Sequence, residues 1–142
     1  MNIIEAMREL LEEYPKINSL HIDYNENAPD SYGLYPTGDR LVSEDILGNQ
    51  KRQHTFILYA DFLSFNDYDR LSNSGALLEL QQWLEQRSGT RDVTAEINGE
   101  KYEGIITKIT CANGMLFNIP GENMNSAVRY QLQITAEYNI EL

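Results

Sequence analysis

Residues 53–62 alternate: His54, Phe56, Leu58, Ala60 and Phe62 fall on one side, Gln53, Thr55, Ile57, Tyr59 and Asp61 on the other. A period of two describes a strand with one face on a core and a more polar face outside. The cleanest alternation closes the chain. Val128, Tyr130, Leu132, Ile134, Ala136 and Tyr138 face one way, and Arg129, Gln131, Gln133, Thr135 and Glu137 the other. Residues 41–47 predict a strand, and Gly48-Asn49 predicts a hairpin returning it antiparallel onto residues 53–62. Asn98-Gly99, set between the strand-like runs 93–97 and 102–111, is the strongest short-range hairpin signal. Asn113-Gly114 reads as a further turn, residues 118–126 as a loop and Leu20-His21-Ile22 as a short strand.

Two stretches carry a helical period instead. Asn2 and Glu5 form a cap and its third residue, and Ile3, Ile4, Met7, Leu10 and Leu11 make one apolar stripe. Pro15 should stop that helix near Tyr14. After the strand at 53–62, Leu63-Ser64-Phe65 turns the chain and Asn66 stands where a cap belongs. Asp67 and Asp69 follow in the first turn. Tyr68, Leu71, Gly75, Leu78 and Trp83, joined by Leu77, Leu80 and Leu84, predict a broad apolar face, and Gly89 a stop. The sum is one domain of class α+β. It has a single, mostly antiparallel twisted sheet of five or six strands, with two helices packed on one face.

Composition changes this picture in one respect. The 142 residues carry 11 basic and 22 acidic side chains, a formal net charge of −11. Such a surface repels nucleic acid and anionic membranes, which argues against DNA binding; plain solubility accounts for it as well. The single cysteine, Cys111, allows no intramolecular disulfide and reads as an inert thiol in an apolar run. No apolar stretch approaches the ~20 residues of a membrane span, so the expectation is a soluble protein of a reducing cytoplasm.

Candidate chemistry is sparse. No phosphate-binding loop, dinucleotide fingerprint, HExxH or paired CxxC occurs, so neither a cofactor nor a metal is expected. Asp23-Tyr24-Asn25-Glu26-Asn27 has the alternating oxygens of a calcium loop. It fails because Ala28 replaces the turn glycine and Leu34 the bidentate glutamate. His21 and His54, the only histidines, sit in strand-like runs, and no G-x-S-x-G elbow positions a serine. The chain does not read as an enzyme. Residues 31–40, rich in tyrosine, glycine and proline, read as a shaped, exposed segment suited either to an interface or to covering the core edge.

Several stretches together resemble a known family. They are Tyr32-Gly33-Leu34-Tyr35-Pro36-Thr37-Gly38-Asp39-Arg40, Arg52-Gln53-His54-Thr55-Phe56, Asn73-Ser74-Gly75, Leu80-Gln81-Gln82-Trp83-Leu84-Glu85 and Ala127-Val128-Arg129-Tyr130-Gln131-Leu132-Gln133-Ile134. In this order they resemble the tail-terminator, or minor capsid, proteins of long-tailed phages and prophages of Gram-positive bacteria. The likeness spans residues 32–138. It implies a small structural virion protein that forms a hexameric ring on the finished tail tube. Such a ring ends elongation and joins the head, meeting the tail tube protein and a head-completion protein. DNA would pass through without being specifically bound, and an acidic lumen would keep it from sticking. The implied location is the bacterial host cytoplasm during assembly, then the tail–head junction. No catalytic, cofactor or metal residue is implied.

Ring contacts are expected in residues 32–40 and in the loops of residues 113–125. Leu34, Tyr35, Met115, Phe117 and Met124 would give apolar contact, and Asp39 and Arg40 cross-subunit pairs. Loop packing within one subunit competes with this. Another head–tail connector or tail tube component is the alternative function, and a small-molecule-binding α/β domain a further one.

Overall fold

The computed structural model describes residues 1–17, 19–26, 30–63, 67–118 and 127–141. Helix α1 (Ile3–Glu12) begins as its cap predicts, with the Asn2 side chain accepting a hydrogen bond from the Glu5 N–H at 2.9 Å. Ile3, Ala6, Met7, Leu10 and Leu11 are buried, one stripe at helical spacing. Strands β1 (Leu20–Ile22), β2 (Ser31–Glu44) and β3 (Gln50–Leu63) precede helix α2 (Asp67–Glu85). Strands β4 (Asp92–Ile97), β5 (Glu100–Asn118) and β6 (Ala127–Glu141) follow it. The strands form one six-stranded sheet in the order β1-β2-β3-β6-β5-β4, antiparallel except for the parallel β1–β2 pair. The protein is an α+β fold.

The alternating runs at 53–62 and 128–138 are neighbours in the middle of this sheet. Phe56 lies opposite Ile134, Leu58 opposite Leu132 and Ala60 opposite Tyr130. All six are buried, and with the α1 stripe they belong to one core. Both helices cover the same face. The Tyr14 ring beyond α1 packs 5.0 Å from the Trp83 ring of α2, and Lys16 Nζ lies 2.9 Å from a Glu79 carboxylate oxygen. The opposite face of the sheet carries no helix among the described residues.

Three expectations need correction. Residues 31–40 are not an irregular segment but the first half of β2, paired with β3 from Ser31 to Glu44. Pro36 and Gly38 are accommodated by a register shift between them, where β1 has ended and β2 has become the sheet edge. Asn113-Gly114 does not reverse the chain either. Asn113 has φ 56°, but β5 runs through it as a bulge, with the register to β6 shifting between Ala112 and Met115. A partner strand of 15 residues is long enough to hold β5 on both sides of that bulge. By contrast, Asn98 (φ 51°) and Gly99 (φ 80°) make the tight turn between β4 and β5.

The third correction concerns α2. Leu77, Leu80 and Leu84 are buried, but Leu71 and Leu78 are exposed. A helix resting on a sheet buries a stripe, and Leu78 sits about 100° around the axis from Leu77. Ser64, Phe65, Asn66 and the side chain of Tyr68 lie outside the described residues.

Candidate assembly interface

The open face of the sheet carries a connected aromatic group at one end. The Tyr35 ring meets the Tyr59 ring edge-on at 5.2 Å, and Tyr59 meets Phe117 at 4.9 Å. The Arg129 guanidinium sits 5.7 Å from the Tyr59 ring centroid. It is held by Asp61, with Nε 2.8 Å from Oδ1 and Nη2 3.3 Å from Oδ2. That hydrogen bond raises the Arg129 pKa further above its ordinary value, against the opposing effect of burial. Asp61 itself is 2 % exposed.

Asn25 completes this corner. Its Nδ2 donates to the Tyr59 carbonyl and to Asp61 Oδ2, both at 3.4 Å. It fits because residue 33 is glycine: a Cβ there would stand 2.2 Å from Asn25 Oδ1 and 2.4 Å from the Tyr24 carbonyl oxygen. Charge is neutralised below and aromatic surface is presented above. Phe117 and the neighbouring Met115 are about half exposed, at 50 % and 53 %.

A second apolar feature projects at the other end of the sheet. Strands β2 and β3 run on to a hairpin in which the outer residues of β2 are exposed, while β3 stays paired with β6 as far as Gln50. At its tip Ile46 is 102 % and Leu47 74 % exposed. The tip is internally fixed: Asp45 Oδ1 accepts the N–H groups of Leu47 and Asn49, each at 2.9 Å. Gly48 donates to the Asp45 carbonyl at φ 89°. All the turn-forming work is done by Asp45, Gly48 and Asn49, so nothing in the local geometry demands aliphatic residues at 46 and 47.

Of the residues expected at contacts, Tyr35, Met115 and Phe117 lie together on the open face. Leu34 does not: it is 0 % exposed, opposite Leu58 in the core, because alternation along β2 turns it inward. Asp39 does not offer a free carboxylate for a neighbour. It binds Arg52 Nε at 2.6 Å and His54 Nδ1 at 3.1 Å and accepts the Tyr138 hydroxyl, all within the chain. The bulge after Pro36 places Asp39 opposite His54. Arg40 donates to Gln53 at 3.0 Å, also within the chain. Met124 lies outside the described residues. Ile46 and Leu47 escape a strand reading of residues 41–47; an aliphatic pair between Asp45 and Gly48-Asn49 was the available signal.

The Asp39 cluster makes a pH-dependent contribution. Burial pushes the Asp39 carboxyl up, but hydrogen bonds from Tyr138, Arg52 and His54 outweigh it and hold the pKa below the ordinary value. A depressed carboxyl stabilises the fold above its unfolded-state pKa, and that contribution is lost as pH falls through the folded one. Urea melts between about pH 5 and about pH 3 should therefore show a smaller loss of stability for Asp39→Asn than for the parent. At neutral pH the variant should be the weaker of the two. An equal acid loss in both would remove Asp39 from the acid transition.

Sheet edges matter for assembly, because an unpaired edge is a template for another strand. The β4 edge is met by the N-terminus, with Thr94 N–H donating to the Met1 carbonyl at 2.6 Å. Beyond β4, groups on the α2 side close β5. Ile109 N–H donates to Ser88 Oγ at 2.9 Å and Gln81 donates to the Cys111 carbonyl at 3.3 Å. The β2 edge past Leu34 has no such cover among the described residues, but Pro36 and two bulges interrupt it. Side chains, rather than strand addition, are the better-formed contact surface here.

Other candidate chemistry is occupied locally. The Cys111 thiol is pushed up to about 12 by burial and by Glu85, which keeps it protonated and unreactive at neutral pH. His21 Nε2 lies 2.8 Å from Glu26. Among the described residues no group of three histidine, cysteine or acidic side chains is arranged to hold a metal, and no helix is long and apolar enough to cross a membrane. No protein-family model matches the chain, and a search of curated proteins finds no match.

Proposed function

We propose that this chain is a structural virion protein of a long-tailed phage or prophage. It caps the tail tube as a ring, ends tail elongation and presents the surface that joins the head. One observation carries the assembly part of this reading. The chain displays an internally fixed aliphatic tip and an aromatic patch at opposite ends of one sheet, and neither is needed to complete its own core. Exposed apolar groups gathered on an otherwise acidic surface are a hallmark of contact sites. The station at the end of the tail rests on the sequence resemblance over residues 32–138. The −11 charge suits a ring through which DNA slides without phosphate contacts.

The test is electron microscopy of a lysate in which the gene is disrupted. Filled heads beside separate, over-long tails are expected, because tube growth loses its stop. Tails of normal length, or no tails, would assign the chain to head completion or to the tube itself. Intact virions would remove it from the particle altogether.

A further inference from the structure

We propose that the hairpin tip of one copy seats on the aromatic patch of the next, so that copies associate head to tail. The occupant of the patch is thus a second copy of this chain. The contact deepens the ring reading but concerns only how two subunits meet, whichever machine they serve.

Three observations lead there. First, the features match in kind. Ile46 and Leu47 form a projecting aliphatic pair on a turn whose backbone is locked by Asp45, so little conformational freedom is lost on docking. Tyr35, Tyr59 and Phe117 form a broad surface whose rings already brace one another.

Second, one chain cannot satisfy itself. From Asn49 beside the tip to Tyr59 in the patch is ten residues along the extended strand β3, on the order of 30 Å. The tip and the patch of one subunit therefore stay apart. A contact between two different surfaces of identical copies is heterologous; it propagates, closing a ring when the rotation allows.

Third, the charges allow the approach. Copies at −11 repel each other over most of their surface. The tip is flanked by Glu44 and Asp45, whereas the patch presents the Arg129 guanidinium over Tyr59, with Asp61 buried beneath it. The Arg129–Asp61 pair carries no net charge, so an acidic tip meets no net negative charge on this part of the open face.

Paired cysteines at exposed positions test this, with every variant and control sharing one background. In a Cys111→Ser background, a Leu47→Cys copy is mixed with a Met115→Cys copy under mild oxidation, and dimers are followed on non-reducing gels. Ser74→Cys, on the exposed side of α2, is the control partner. The mixed tip-and-patch dimer should form at least tenfold faster than either homodimer or the control pair. Adding Ile46→Ser to the tip copy, or Phe117→Ser to the patch copy, should erase that preference. A copy carrying both Leu47→Cys and Met115→Cys should give a ladder or closed rings. Mixed dimers no faster than the control, or tip-to-tip dimers in the majority, would overturn the proposal. Either result would leave the tail-length experiment unaffected, so the contact and the proposed station can fail independently.

Discussion

Arg129→Ala should lower the unfolding free energy by about 3–5 kcal/mol, the usual loss when one partner of a buried ion pair is removed. The reason lies in Asp61. Its side chain is 3 % exposed, against 20 % for Arg129, and the guanidinium is its charged partner at 2.8 Å. Truncation would leave a carboxylate beneath Tyr59 with Asn25, at 3.4 Å, as its remaining side-chain hydrogen-bond donor among the described residues. Arg129→Lys should fall between parent and alanine, because it keeps the charge and loses the two-toothed grip. The double variant Asp61→Asn, Arg129→Met should recover much of the loss, since no unpaired charge then remains buried. Urea denaturation of the four proteins checks this. A loss below about 1 kcal/mol for the alanine variant would mean that the pair behaves like an exposed surface bridge. The same variant leaves the Asp61 carboxylate without its charged partner beside Tyr59, so an acidic tip meets net negative charge and the tip-to-patch crosslink should slow as well, which ties the local stability of this corner to its proposed use.

Gly104→Ala should cost about 3 kcal/mol or more, at the upper end of overpacking penalties. An added Cβ would stand 1.9 Å from the Asn139 carbonyl oxygen, 2.9 Å from its carbonyl carbon and 3.2 Å from Ile140 Cα. These are main-chain atoms of β6, and no rotamer change can move them aside. The lower end of the β5–β6 pairing would have to part, and with it the packing of Val93 and Ile140, both buried. Gly75→Ala is the natural control. It lies in α2 with nothing within 4 Å of the added atom, and should stabilise by about 0.5–1 kcal/mol through helix propensity. Thermal melts of both variants suffice. If Gly104→Ala melts with the parent, β5 and β6 do not approach so closely at that point.

Much of this architecture is set by interactions between residues near in sequence, and those parts were legible in the chain itself. The α1 stripe and its Asn2 cap, the alternation of β3 and β6, and the Asn98-Gly99 turn each depend on a local period or a local backbone preference. The class, a mostly antiparallel sheet with both helices on one face, follows because each apolar stripe needs a surface to cover.

What the local signals could not decide depends on partners distant in sequence. Tyrosine, glycine and proline in residues 31–40 describe a loop by composition, yet residues 53–61 of β3 lie alongside and pair that stretch into a strand. Asn113 takes the left-handed conformation of a turn residue, but β6 continues past it and converts the turn into a bulge. The same dependence separates Leu34, sealed against Leu58, from Ile46 and Leu47, which no strand or helix among the described residues covers. Asp61 and Arg129, 68 residues apart, become one ion pair because β3 and β6 place them opposite each other. Sequence periodicity determines which side chains share a face. Only the tertiary structure determines what lies against that face, because burial and pairing are properties of neighbours.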